Sequence, residues 1–131
     1  MSKRSIVHVD LPTTDRAGSA TFYATVFGWT YEHLSHVAYT PFCAANLTGG
    51  FHDLQAGFAP LNTVLTPGAV TVYIASEDID ADLAQIEACG GSVRLPKTSI
   101  GEGIWLAVFV DPAGNQLALC TPPPSPAVAI D

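Results

Sequence analysis

The sequence predicts an α+β fold built from two copies of a βαβββ module. An alternating apolar strand followed by an amphipathic helix opens the chain, and the same order returns from Val70. When the two copies are aligned, Val7 corresponds to Val70 and Asp15 to Asp78. A strand face and helix boundaries that match in phase indicate an internal duplication.

The first module begins with a strand over Ile6–Leu11. Its alternation places Val7, Val9 and Leu11 on one face and Ile6, His8 and Asp10 on the other. Thr14 or Asp15 is expected to cap a helix that runs to about Phe27 and ends at Gly28. The helix has an apolar stripe of Ala20, Tyr23, Ala24 and Phe27. Short strands are predicted over 30–34, 37–44 and 51–54, with a turn at Thr48–Gly50.

The second module repeats this order. Val70, Val72 and Ile74 form one strand face opposite Thr71 and Tyr73, and a helix with the stripe Ile79, Leu83 and Ile86 follows Asp78. Gly90 and Gly91 end this helix, and strands are predicted over 92–95, 104–110 and 116–120. The chain is therefore interpreted as one domain over 1–131. It has module one at about 5–54, a linker at 55–68, module two at about 69–120 and a frayed proline-rich tail at 121–131.

Composition excludes several classes of function. The net charge is −7 with only five Lys and Arg residues, which argues against nucleic acid as a partner. Neither a secretory signal nor a run of about 20 apolar residues is evident, so no membrane partner and a cytoplasmic location are expected. Three widely spaced cysteines are interpreted as reduced, buried thiols.

Two motifs resemble the glyoxalase, bleomycin-resistance and dioxygenase superfamily, also called the vicinal oxygen chelate fold. They are the helix-ending run Thr21–Trp29 and the turn Asp111–Asn115, which reads DPAGN. The resemblance covers residues 5 to 120. It implies that two modules in pseudo-twofold arrangement form a curved-sheet cup, that the cup holds a small molecule or a metal, and that the protein is a homodimer.

Strand phase places six residues on the face expected to line the cup: His8, Asp10, Thr71, Tyr73, Gln116 and Ala118. Phe42 and Trp105 are added to the predicted ligand pocket as aromatic residues available to line it, and His52 is added from a strand whose register stays open. His8 is interpreted either as a hydrogen-bonded wall residue or as a general base or ligand-orienting group. Trp29 is expected to pack or to form an interface, and Trp105 could equally line the pocket, contact a partner or belong to the core.

A complete metal site is not expected. Metal-dependent members of the superfamily use His and Glu side chains from four equivalent strands, and His8 matches the first position. The repeat places Thr71 or Val72 at the second position, and Ala118 falls at that of the final glutamate. The remaining ligand could be His52 or Asp53. Two ligands fall short of the three that a catalytic metal needs, so no metal or cofactor is predicted.

The leading hypothesis is therefore a glyoxalase/bleomycin-resistance-like protein with a metal-free pocket for a small-molecule ligand. Whether it is also an enzyme stays open. The alternative is a metal-dependent lactoylglutathione-lyase-like or dioxygenase enzyme whose rebuilt metal site uses His8 with His52 or Asp53. A third hypothesis is an accessory domain whose cup is filled by its own side chains.

Overall fold

A computed structural model describes residues 3–34, 37–66 and 68–121. The chain divides into two compact units. The first is His8–Val72, and the second joins the residues up to Val7 with those from Tyr73 onward. The elements in chain order are β1 (Ile6–Thr13), α1 (Arg16–Phe27), β2 (Thr30–Tyr31), β3 (Tyr39–Cys43), β4 (Thr48–Asp53), α2 (Ala59–Asn62), β5 (Thr71–Ala75), α3 (Ile79–Ala88), β6 (Ser92–Gly101), β7 (Ile104–Val110) and β8 (Gln116–Cys120).

The first unit packs α1 on a sheet in the order β2-β3-β4-β1, in which β1 and β4 are parallel. The Asp15 side chain accepts a hydrogen bond from the Gly18 N–H and caps the helix, which ends at left-handed Gly28 with φ 74°. The core of this unit is a cluster of Ala20, Phe42 and Phe51, with Leu11, Tyr23 and Trp29 packed against it. The predicted caps and the packing role of Trp29 are confirmed.

The second unit repeats the arrangement, with the strand order β5-β8-β7-β6 and a parallel β5–β8 pair. Asp78 caps α3 by accepting a hydrogen bond from the Ala81 N–H. The core contains Ile79, Leu83, Ala107, Phe109 and Leu119, with Ile86 and Leu117 among the residues packed on it. Because β1, β4 and α1 correspond to β5, β8 and α3, the predicted duplication is confirmed.

The predicted turn at Thr48–Gly50 is wrong, because these residues begin β4. The two glycines serve close packing. A Cβ on Gly49 would overlap the Phe42 ring, and a Cβ on Gly50 would overlap the ring and hydroxyl of Tyr39. Glycine within a strand often marks such a close approach rather than a chain reversal.

The segment predicted as a linker contains the short helix α2. Leu61, Val64 and Leu65 are buried there, so the segment contributes to the core of the first unit. Strand β6 is also longer than predicted and extends to Gly101 opposite β7.

Three further expectations need correction or lie outside the described residues. Phe27, assigned to the apolar stripe of α1, is the last residue of that helix and is 58% exposed. Cys43 and Cys89 are exposed and only Cys120 is buried, although all three are free. The tail beyond residue 121 lies outside the described residues.

Among the described residues, no helix is long and apolar enough to cross a membrane.

Candidate functional site

A polar cluster lies on the face of the first unit's sheet that points away from α1. Leu11 and Phe51 are paired between β1 and β4 and both belong to the α1 core. Because strand side chains alternate, His8 and Asp10 project from the opposite face of β1. Tyr39 is paired with His52 across β3 and β4, and His52 is paired with Pro12, so both side chains share that face.

Three side chains on this face contact one another pairwise through polar atoms. They are called here the His8–Asp10–Tyr39 cluster. Nε2 of His8 lies 3.1 Å from Oδ1 of Asp10 and 2.5 Å from the Tyr39 hydroxyl oxygen. The Tyr39 hydroxyl donates to the same Asp10 oxygen at 2.6 Å. The Asp10 side chain is only 4% exposed, whereas that of His8 is 29% exposed. The imidazole of His8 is therefore partly exposed to solvent, and its Nε2 contacts a buried carboxylate and a phenol.

This arrangement can orient a ligand and exchange a proton with it. An imidazole carries or releases a proton near neutral pH, and a buried carboxylate hydrogen-bonded to it fixes the ring. His8 and Asp10 were both predicted as site residues, and the structure brings them into contact.

His52 is buried beside this cluster, with its ring centroid 6.5 Å from that of Tyr39. Its Nε2 lies 2.6 Å from Oδ1 of Asn62, and the Asn62 amide donates to the Gly57 carbonyl. His52 therefore links β4 to α2 through a buried amide.

Asp53 lies on the α1 face, since alternation places it on the side of Phe51. Its carboxylate accepts hydrogen bonds from the backbone N–H groups of Gln55 and Ala56 and from the Arg16 guanidinium. The Ala56 N–H contributes most to lowering the pKa of Asp53, opposed by desolvation and supported by Gln55 and Arg16. The structure thus places His52 and Asp53 on opposite faces of the sheet.

The predicted site residues on β5 and β8 are mostly enclosed. Thr71 is 1% exposed at the start of β5. Tyr73 and Ala118, 2% and 0% exposed, are paired between β5 and β8. Gln116 is half-buried at the start of β8. Leu117 and Leu119 pack on the α3 side, which confirms the predicted phase of β8.

Two predicted pocket residues lie elsewhere. Phe42 is in the α1 core, 4.7 Å from Trp29 between ring centroids, because alternation places it opposite Tyr39. Trp105 has the same phase as Ala107 and Phe109 and so projects toward the α3 side of its sheet, where Lys97 lies over its ring. Neither side chain shares a face with the residues that were predicted to accompany it.

A cavity of about 200 Å³ also occurs in the first unit. Its lining includes Leu11, Ser19, Tyr23, Phe51 and residues 68–70, so it lies on the α1 side and away from His8. Ligand pockets are usually larger, roughly 300–1,000 Å³, and combine apolar walls with a few placed polar groups. The His8–Asp10–Tyr39 cluster lies on the opposite face of the sheet from this cavity.

The motif turn Asp111–Asn115 has a structural role. The Asp111 carboxylate accepts hydrogen bonds from the backbone N–H groups of Ala113 and Asn115. The Asn115 N–H is the main cause of the lowered pKa of Asp111. The turn holds β7 and β8 in antiparallel register.

Within the described ranges, no group of three or more His, Cys, Asp or Glu side chains is arranged to hold a metal ion.

The sequence interpretation missed Tyr39 and Asn62. Tyr39 lies in β3 and faces the side of the sheet opposite Thr40. Because Gly49 and Gly50 were interpreted as a turn, the strand that pairs with β3 was predicted to begin only at residue 51 instead of at Thr48. Had the glycine pair been placed within β4, the pairing of Tyr39 with His52 would have followed.

Comparison with known proteins agrees with this fold. A family profile described as "Glyoxalase-like domain" matches residues 5–120. The chain belongs to this glyoxalase-like family.

Among curated relatives, a Mycobacterium bovis protein named "Putative glyoxylase CFP32" is 30% identical over 119 residues, covering 85% of this chain and 43% of the relative. The anthracycline biosynthesis protein DnrV of Streptomyces peucetius is 35% identical over 122 residues, covering 84% of this chain and 44% of the relative. This glyoxalase-like chain thus spans less than half the length of these relatives.

Solved structures show the same fold at low identity. The hypothetical protein BH1468 from Bacillus halodurans has a TM-score of 0.67 at 11% identity, covering 93% of this chain and 96% of that one. A Streptomyces coelicolor methylmalonyl-CoA epimerase variant, solved with 2-nitronate-propionyl-CoA, has a TM-score of 0.58 at 16% identity, covering 92% and 95%. A glyoxalase/bleomycin resistance protein/dioxygenase superfamily member from Vibrio splendidus has a TM-score of 0.60 at 16% identity, covering 91% and 99%. The predicted fold is confirmed.

Proposed function

We propose that this glyoxalase-like protein binds a small organic molecule at the His8–Asp10–Tyr39 cluster and holds no metal ion tightly. The observation that supports this most directly is the partly exposed His8 ring, anchored through one nitrogen by a buried carboxylate and a phenol. Such an anchored polar group can orient a ligand whose affinity comes mainly from apolar contact.

The donor atoms argue against the alternative of a rebuilt metal site. His8 uses Nε2 within the cluster, and the Nε2 of His52 is bound to Asn62. Asp53 projects from the other face and is occupied by Arg16 and two backbone N–H groups. A catalytic metal needs at least three protein ligands together with an open position, and these residues do not fit that requirement.

The charges of the first unit favour a ligand that is not anionic. Arg16 is the single Lys or Arg between His8 and Val72, and its guanidinium is bound to Asp53 and Thr40 on the α1 face. An anionic group such as the phosphates of a CoA ester would thus find no available cation in this unit. The relative named for anthracycline biosynthesis makes multi-ring aromatic compounds without anionic groups a sensible first class to test.

A thermal-shift screen tests ligand binding. The library should contain multi-ring aromatic compounds, CoA thioesters and glutathione conjugates, applied to the wild type, His8→Gln and His33→Gln. His33 is an exposed histidine of the same unit and serves as the matched control. A ligand that binds only the folded state stabilises it by RT ln(1 + [L]/Kd), about 2.7 kcal/mol at 100-fold Kd.

The expected result is a set of non-anionic compounds that raise the Tm of wild type and His33→Gln but not of His8→Gln. Equal responses in all three proteins would contradict binding at His8. No response to any compound would favour the accessory-domain hypothesis. Elemental analysis tests for a metal site. A content of about one metal ion per chain that is lost in His8→Ala would favour the metal-dependent enzyme.

A further inference from the structure

We infer that Tyr39 and Asp10 are positioning residues that keep the proton of neutral His8 on Nε2, and that Gly50 makes this arrangement possible. The inference deepens the proposed function, since it assigns how the anchored imidazole is oriented and which ring nitrogen can accept a proton from a ligand.

The argument follows from counting hydrogens. A phenol has one O–H, and the Tyr39 hydroxyl donates it to Oδ1 of Asp10 at 2.6 Å. Toward His8, both the Tyr39 oxygen and the Asp10 oxygen that accepts from Tyr39 can then act only as acceptors. Nε2 of His8 lies 2.5 Å from the first and 3.1 Å from the second. An unprotonated Nε2 would face two oxygen lone pairs, so the neutral ring is most stable with its hydrogen on Nε2.

Gly50 supplies the space in which the Tyr39 side chain lies. An added Cβ at Gly50 would overlap the Cζ and hydroxyl oxygen of Tyr39, so Tyr39 would have to move. Gly49, the preceding residue in β4, points to the other face, where an added Cβ would overlap the Phe42 ring and also the backbone carbonyl oxygen of Val9 in β1. The two adjacent glycines therefore fit different aromatic rings on opposite faces of one strand.

Fixing the hydrogen on Nε2 leaves Nδ1 as the proton-accepting nitrogen of neutral His8. In an untethered imidazole the two tautomers interconvert through water, and the free energy that separates them is small. Hydrogen bonds to a carboxylate and a phenol oxygen select one of them, which is how a second residue determines the proton location on a histidine.

The test is a long-range ¹H–¹⁵N correlation spectrum of the ¹⁵N-labelled full chain without ligand, recorded at a pH where His8 is neutral. The signals of His8 are identified by their loss in His8→Gln. We expect the ¹⁵N shift pattern of the Nε2–H tautomer for His8 in the wild type. The Nδ1–H pattern, or an even mixture of tautomers, would overturn the inference.

Variants separate positioning from general stability. Tyr39→Phe removes the hydroxyl but leaves the Asp10 carboxylate 3.1 Å from Nε2, so it is combined with Asp10→Ala, and the double variant should shift His8 toward a mixture of tautomers. Tyr31→Phe, at an exposed tyrosine of β2, should leave His8 unchanged. Gly50→Ala combined with Asp10→Ala should reproduce the effect of that double variant, because the added Cβ displaces the Tyr39 hydroxyl.

An unchanged tautomer in Tyr39→Phe combined with Asp10→Ala would overturn the inference, and the wild-type spectrum decides the matter if the combined variants fail to fold. Because the spectrum is recorded without ligand, its outcome does not depend on the binding screen. A fixed Nε2–H tautomer with no ligand in the screen would reject the proposed function alone.

Discussion

Arg16 and Asp53 connect the start of α1 to the end of β4, with Nε of Arg16 3.3 Å from Oδ2 of Asp53. The other carboxylate oxygen of Asp53 accepts hydrogen bonds of 2.8 and 2.9 Å from the N–H groups of Gln55 and Ala56. One ionised side chain thus fixes the end of the strand, the following turn and the first residue of the helix. Protonating it weakens all of these contacts together.

The stability of the protein should therefore fall in acid in a way that depends on Asp53. The backbone hydrogen bond from Ala56 is the largest cause of the lowered pKa of Asp53 in the folded state. A group with a lowered folded pKa stabilises the fold above its unfolded value, about 3.9 for Asp, and this contribution is lost as pH falls through the folded pKa. Urea unfolding between pH 7 and pH 3 measures the effect.

The Asp53→Asn variant is the control for this pH dependence. It should be less stable than wild type at pH 7 and should show a smaller loss of unfolding free energy on acidification. Asp82 and Asp111 also have lowered pKa values, through Arg4 and through Asn115 respectively, so part of the acid sensitivity will persist. A variant with the wild-type pH slope would show that Asp53 is not a source of it.

Ala118 offers a test of how closely the second unit is packed. The sequence predicted that this residue lines an open pocket, but its exposure is 0% and it is paired with Tyr73 in β5 and Val108 in β7. Replacing it by Phe adds a large ring where no free surface exists, so the free energy of unfolding should fall by about 1–3 kcal/mol.

Ala84→Phe, at an exposed position of α3, is the matched control and should change stability little. Chemical denaturation of both variants gives the comparison. If Ala118→Phe unfolds at the wild-type denaturant concentration, an open space beside Ala118 must exist, and the original pocket interpretation of that residue would be supported.

The parts of the fold that depend on local chemistry could be predicted from the sequence. The caps at Asp15 and Asp78 and the phase of β8 all follow from residue type and periodicity, and the structure bears them out. The pairing of β3 with β4 could not be predicted in the same way. It depends on Gly49 and Gly50 packing under aromatic rings, and a glycine pair far more often indicates a turn.

The residues of the candidate site could likewise be predicted from the local pattern of a strand but not from the pairing between strands. Alternation within β1 correctly placed His8 and Asp10 on one face, because that requires only the period of a strand. Tyr39 was missed because its pairing with His52 depends on the register between strands. Phe42 and Trp105 were placed in the pocket because they are aromatic, although the phase of β3 puts Phe42 opposite Tyr39 and that of β7 puts Trp105 with Ala107 and Phe109.

Self-association through α1 is the next prediction. Phe22, Val26 and Phe27 are 53%, 55% and 58% exposed on this helix, an unusually apolar set for a free surface. We predict a homodimer that covers this face, with a mass by light scattering of twice 13.7 kDa at micromolar concentration.

Val26→Glu should lower this mass toward one chain, because a charge buried in an apolar interface is costly. Thr25→Glu, at a neighbouring exposed position outside the apolar set, is the control and should leave the mass unchanged. A wild-type mass equal to one chain would contradict the prediction directly.

The last prediction concerns the buried pair of His52 and Asn62. Nε2 of His52 lies 2.6 Å from Oδ1 of Asn62, and His52 is 2% exposed. Removing one partner of a buried hydrogen bond leaves the other unsatisfied, which costs about 1–3 kcal/mol. Asn62→Ala should therefore lower the free energy of unfolding by that amount, whereas Thr63→Ala, at an exposed position beyond α2, should cost less.

The Asn62→Ala variant also tests the metal-free proposal, because it frees the Nε2 of His52 for coordination. If Asn62 alone keeps His52 from a metal, Asn62→Ala purified with added zinc should gain about one ion per chain and recover stability. We expect neither, because with His8 committed to Asp10 and Tyr39, His52 would still lack the two further ligands that a zinc site needs.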